Sequence, residues 1–147
     1  MLLKICGDYN DFAEMKFFSY EEVCKWTYPA DLDIDMIYFD IDYYDKVSFN
    51  GWENEISIYK KDFIEFYNAL NENIKINKNF TRMCKDKSNY DILKFNVEFI
   101  GNDVLFTVTA ITIVDIVNVS EKMDKQKLQQ ILLEFQKFLM ERKMLWK

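Results

Sequence analysis

The chain has 147 residues, with 25 Asp and Glu against 19 Lys and Arg, a formal net charge of −6 and an apolar half. At this length folding buries roughly 68–70 % of the unfolded surface, so a core needs neither metal nor disulfide, and the composition excludes wholesale disorder. His is absent, which removes the side chain that most often acts as general base or metal ligand near neutral pH and counts against an enzyme.

Charge interrupts every apolar run well before the ~20 residues that cross a bilayer. The start, Met1-Leu2-Leu3-Lys4-Ile5, lacks the basic region and the apolar stretch of about 7–15 residues of a secretory signal. A cytoplasmic protein with no membrane role is expected. Cys6, Cys24 and Cys84 form no Cys-x-x-Cys pair; they read as reduced thiols in or near the core, with no zinc site or disulfide framework. Residues 1–45 hold 11 acidic and three basic side chains, a balance of −8, and the remaining 102 hold 14 and 16, a balance of +2. Such a field repels phosphate backbones and steers a basic partner. Direct nucleic-acid binding is therefore not expected.

No repeat or linker divides the sequence, so one domain over residues 1–147 is expected. Leu2–Cys6 reads as an edge strand, Gly7–Asp11 as a turn and Phe12–Phe18 as a second strand. Ser19 followed by Glu22 fits a capping box, in which each side chain satisfies the other residue's free amide, before a short helix over 20–26 that Pro29 ends. From Leu32 to Tyr44 polar and apolar residues alternate as in a strand. The parity switches between Asp31-Asp33-Asp35 and Asp40-Asp42, which predicts a bulge near Ile37 or Tyr38.

Asn50-Gly51 is a turn signal, and Glu55–Tyr59 returns as a hairpin strand. Asp62 is placed to cap a helix whose apolar face is Phe63, Phe66, Tyr67, Leu70 and Ile74. The Asn- and Lys-rich stretch from Asn71 to Asn89 reads mostly as a mobile loop. Leu93–Phe99 alternates, Gly101-Asn102-Asp103 turns, and Val104–Val119 reads as one long returning strand around Asp115. Asp124 opens a last helix with an apolar stripe of Leu128, Ile131, Leu132, Phe135, Phe138 and Leu139. The sum is an α+β fold: a mainly antiparallel sheet built from hairpins, with two amphipathic helices packed on it.

The acidic set Asp31, Asp33, Asp35, Asp40, Asp42 and Asp45 is the most unusual feature. A calcium loop also uses alternate Asp, but it needs a Gly at the sharp turn and a distal Glu, where this chain places Leu32 and Ile34 between its carboxylates. A solvated strand face and a docking surface for a basic protein both remain. Tyr43, Tyr44 and Trp52, with Trp26 and Tyr28, lie close in sequence and supply candidate interface anchors, or ordinary packing. No cofactor or metal is expected.

The stretch from Tyr28-Pro29 through Trp52-Glu53-Asn54-Glu55-Ile56, the helix Phe63–Leu70, the hairpin strand Leu93–Phe99 and the final Leu128–Phe135 resemble, in order and spacing, the wall-associated-protein immunity (WapI-like) family over residues 28–140. The resemblance implies a small bacterial cytosolic inhibitor. Its partner would be the cognate toxic C-terminal domain of a polymorphic secreted toxin, often a nuclease. The acidic residues and Tyr43, Tyr44 and Trp52 are then the expected contacts. Two other readings stand beside it: a homodimeric export chaperone, since the element order and low pI also look like type III secretion chaperones, and a carboxylate enzyme. Monomer and dimer are both open.

Overall fold

In the computed structural model, residues 1–7, 11–19, 22, 25, 33, 35–45, 50–111 and 116–145 are described, with the backbone alone at 43–45, 50–55 and 142–145. Strand alternation sets the first sheet. In β1 (Leu2–Cys6) and β2 (Phe12–Phe17) the odd positions Leu3, Ile5, Ala13, Met15 and Phe17 are buried, and β3 (Met36–Asp45) continues the pattern with Phe39 and Ile41. β4 (Asn50–Tyr59) completes an antiparallel meander in the order β1-β2-β3-β4. A helix, α1 (Lys60–Ile76), follows.

The pattern then repeats. β5 (Phe80–Lys85), β6 (Asp91–Ile100), β7 (Asp103–Ile111) and β8 (Ile116–Asp124) form a second antiparallel meander, followed by α2 (Lys125–Leu145). The repetition extends to single residues when the helix starts are aligned and the alignment is carried through the strand registers. Phe39 and Ile41 correspond to Phe106 and Val108, Met15 and Phe17 to Phe95 and Val97, and Phe63, Phe66 and Leu70 to Leu128, Ile131 and Phe135. All of these are buried. Identities and sizes differ at most pairs while burial and apolarity persist, so the doubling shows in the pairing pattern and escapes a search for repeated letters.

α1 is the wedge between the halves. Phe66 stacks on Phe95 at 4.2 Å between centroids and meets Phe106 and Phe135 edge-on. Phe63 lies 5.5 Å from Phe17 in the first sheet and 5.2 Å from Phe135 on α2. Buried side chains of both sheets and both helices form one cluster. Burial of aromatic area of this extent dominates core energetics.

Two carboxylates tie the halves at their strand edges. The Cys6 amide of β1 donates to Glu121 Oε1 of β8 at 2.9 Å. Correspondingly, the Lys85 amide of β5 donates to Asp62 Oδ2 in the first turn of α1, also at 2.9 Å. Lys127, at the α2 position equivalent to Asp62, ion-pairs with Glu121. An edge strand leaves amides without ladder partners, and each junction satisfies one with a carboxylate from the other half.

The α+β class, the antiparallel hairpins and both helices agree with the sequence reading, and several local features differ. Asn50 and Gly51 pair with Asp45 and Tyr44 as the first residues of β4, so they belong to the ladder and not to a turn. β3 begins at Met36 and pairs in unbroken register to Asp45; the parity switch falls at a strand end, where Met36 donates its amide to the Asp33 carbonyl, and no bulge is present. Asp62 does not cap α1, whose N-cap residue is Tyr59; it caps the β5 edge instead.

The Asn-rich stretch is ordered: α1 runs to Ile76, Asn77 ends it in the left-handed conformation at φ 54°, and β5 follows. That conformation is one Asn tolerates better than most residues. The long strand of 104–119 is two antiparallel strands. Its buried set changes from even, Val104 to Ala110, to odd, Val117 and Val119. The Ser19–Glu22 capping box is present, with reciprocal bonds of 3.2 Å, and the Ser19 amide and hydroxyl hold the Glu22 carboxyl below its usual range. Most of the expected helix at 20–26, with Cys24, Trp26 and Tyr28, lies outside the described residues, as do Asp31 and Asp115. Cys84 is buried and its thiol is pushed up, first by burial and then by the Asp62 and Glu65 carboxylates, whereas Cys6 is exposed.

Candidate functional site

The outer face of the first sheet is read row by row across its strands. One row runs Leu2, Lys16, Asp40, Glu55; the next runs Lys4, Glu14, Asp42, Glu53. Asp42 is exposed and Asp40 half-buried. The two rows place five carboxylate residues and two lysines, a formal balance of −3. Lys4 reaches Glu14 at 3.9 Å, with both side chains largely in solvent, so the pair does little to neutralise the face.

The equivalent rows of the second sheet are Thr81, Asn96, Thr107, Ser120 and Met83, Lys94, Thr109, Asn118, with a formal balance of +1. Their hydroxyls and amides bond across the strands: Thr81 to Asn96 at 2.6 Å, Thr107 with Ser120 at 2.7 Å and Thr109 to Asn118 at 2.5 Å. Cross-strand polar pairs of this kind stabilise a sheet face with little charge, and here Thr109 is itself buried.

Of the acidic residues singled out in the sequence, the structure brings Asp40 and Asp42 together on this face. Asp33 and Asp35 lie before β3 in a turn of their own. The Asp35 amide donates to Asp33 Oδ1 at 2.9 Å, and Lys87 from the second half pairs with Asp33 Oδ2 at 3.3 Å. The hydrogen bond from the Asp35 amide, with Lys87 adding to it, holds the Asp33 carboxyl below its ordinary range. Tyr59 donates its hydroxyl to the Lys87 carbonyl at 3.2 Å, so this turn is a second clasp between the halves. Asp45 is the last residue of β3, paired with Asn50.

By register Tyr43 pairs with Ala13 and Trp52, in the row that starts at Ile5 on the core side. Tyr44 falls in the row of Phe12 and Gly51, next to the acidic rows. Glu14, Glu53 and Glu55 join the face without having been singled out. The alternation in Glu53-Asn54-Glu55-Ile56 carried a signal for the last two, whereas Glu14 becomes a neighbour of Asp42 only through pairing of β2 with β3.

Among the described residues no group of three or more Cys, Asp or Glu side chains is arranged to hold a metal ion, and no helix is long and apolar enough to cross a membrane. No protein-family model matches the chain, and no curated protein or solved structure matches it.

Proposed function

We propose that the chain is an immunity protein: it binds a basic toxin domain through the outer face of its first sheet, neutralises it, and performs no chemistry of its own. The observation that supports this reading is the contrast between the two sheets. Solvation asks only for polar side chains, and the second sheet meets that need with Thr, Asn and Ser. The first sheet, on the same plan, carries five carboxylate residues against two lysines.

A negative face of this kind accelerates encounter with a positive partner above the neutral ~10⁵–10⁶ M⁻¹s⁻¹ and repels other acidic surfaces. A nuclease domain is a partner of the right chemistry, since its cleft is built to receive phosphate backbone, and the WapI-like resemblance leads to the same class.

The test is capture of the folded toxin-like domain encoded by the neighbouring upstream reading frame, followed by kinetics at low and high salt. The reading expects capture, an association rate that falls steeply with salt, and loss of most of that rate in Asp40→Lys/Asp42→Lys, while Thr81→Lys on the second sheet leaves it unchanged. Absence of binding, or binding indifferent to the reversal, contradicts it. A stable dimer in light scattering that holds only an unfolded N-terminal effector segment transfers the function to an export chaperone.

A further inference from the structure

The chain passes between its halves once, through Asn77-Lys78-Asn79, which join the end of α1 at Ile76 to the start of β5 at Phe80. There it reverses. Asn77 takes the left-handed conformation, the Lys78 amide donates to the Asn73 carbonyl at 3.2 Å, and the Phe99 amide donates to Asn79 Oδ1 at 2.7 Å. β5 consequently runs back along α1, with the Phe80 ring centroid 6.2 Å from that of Phe66 and the Lys85 amide on Asp62 in the first turn of the helix. Among the described residues the other ties between the halves are noncovalent: Phe66 on Phe95, Phe63 against Phe135, the Cys6 amide on Glu121, and Lys87 on Asp33.

We infer that this interface also works between chains: the partner that fits the buried side of each half is the sister half of a second copy of this chain, admitted when the hinge at Asn77–Asn79 does not close. The occupant is known, because the sister half is seated there. None of the noncovalent contacts requires that both halves belong to one chain, whereas the reversal at the hinge does. A half alone leaves Phe66 and Phe135 without the rings they pack on, and exposing large aromatic side chains is unfavourable, so an opened chain has to be covered again. Proximity keeps the parent closed: a short linker gives the sister half an effective concentration on the order of mM, above that of a second copy at micromolar protein. The advantage depends on the turn. Three residues make the reversal with Asn77 at φ 54°, a conformation most L-residues avoid. Shortening the hinge or forbidding that φ removes the reversal, and reciprocal exchange of second halves between two copies rebuilds each junction from the same residues. Such exchange is a low-cost route to a dimer. It is independent of the docking face on the first sheet.

The experiment compares the full chain with Asn77→Gly, with Asn77→Pro and with a variant lacking Lys78 and Asn79. Each is refolded from urea at micromolar protein, and its mass is read by light scattering and the Phe66–Phe95 contact by isotope-filtered NMR on mixtures of labelled and unlabelled chains. Gly accepts the left-handed turn; Pro holds φ at about −65° and forbids the turn without shortening the hinge. The parent and Asn77→Gly should keep the contact within one chain. The other two variants should show it between chains, at twice the parent's mass and with amide shifts away from the hinge unchanged. One folded hinge variant with the contact between chains upholds the exchange, so misfolding of the other leaves the test decided. A contact that stays within one chain in the folded hinge variants, or aggregation of both, overturns it. A contact already made between chains in the parent overturns control by the hinge.

Discussion

The first and second sheets share strand order, the helix that follows and most of their register, which shifts at Cys84/Lys85 in the second alone, and they differ most on their outer faces. Inside, the equivalent pairs Phe39 and Phe106, Ile41 and Val108, and Met15 and Phe95 are all buried. On the opposite faces, Asp40 and Asp42 correspond to Thr107 and the buried Thr109, and Glu14 to Lys94. Burial constrains size and apolarity, because an interior packs close to crystal density and responds to a single methylene. An outer face need only be wettable. A formal balance of −3 at positions where the sister sheet carries +1 is thus not a requirement of the fold, and it is the difference on which the proposed docking role rests.

The comparison breaks first at the shared core. Phe66 touches residues of the second sheet and of α2, so Phe66→Ala should cost about 3–5 kcal/mol. Both halves should lose protection together in urea unfolding followed by hydrogen exchange. Selective loss of one half would show that the halves are separate cooperative units.

The strand-edge caps come next. Glu121 is nearly buried and holds both the Cys6 amide and Lys127, so Glu121→Ala should cost about 1–3 kcal/mol. Asp62→Ala uncaps the equivalent Lys85 amide at a more open position and should cost about 1 kcal/mol or less. Thermal denaturation of the two variants measures the asymmetry, and a larger loss for Asp62→Ala would reverse it.

The smallest effect is that of the clasp at Asp33. Its carboxyl titrates lower folded than unfolded, so its contribution is present above the unfolded value near 4 and is lost as pH falls through the folded value. Asp33→Asn should therefore destabilise the chain modestly at pH 7 and flatten the fall in stability below about pH 4. An unchanged acid limb in a pH series of urea midpoints would show that the Asp33 carboxylate, held by the Asp35 amide and Lys87, contributes nothing.

Much of this architecture was legible in the sequence where one period ran unbroken. The helical spacing of Phe63, Phe66, Leu70 and Ile74 and of Leu128, Ile131, Phe135 and Phe138 located both helices, and the alternation in Leu93–Phe99 located β6. The doubled plan was hidden because the equivalent positions share burial and apolarity and not identity or size: Leu70 answers to Phe135 and Phe17 to Val97. The boundary between β7 and β8 was present as a change of parity, from Ala110 to Val117, and was masked by a composition rich in Val, Ile and Thr throughout. Asn77 marks the end of α1, but β5 buries only Phe80 and Cys84, four residues apart, so no alternation stood out against a background of Asn and Lys that reads as loop.

For the candidate face, Asp40 and Asp42 were recognisable from their spacing alone. Asp33 and Asp35 share that spacing and do not share the face, because a strand's period means nothing before Met36, where the ladder begins. Glu55 was marked by its own alternation, whereas Glu14 is brought beside Asp42 by the pairing of β2 with β3, and no local pattern carries that information. Strand pairing also puts Tyr43 and Trp52 in the core-side row.

The central claim is that charge on the first sheet, and not on the second, governs recognition of a basic protein. Stopped-flow association of the chain with the folded domain encoded beside it, compared between Asp40→Lys/Asp42→Lys and Thr81→Lys at the same ionic strength, tests this most directly. The account predicts a fall of at least tenfold in the association rate for the first variant and no change for the second. Equal rates in both, or an equal fall in both, would contradict it.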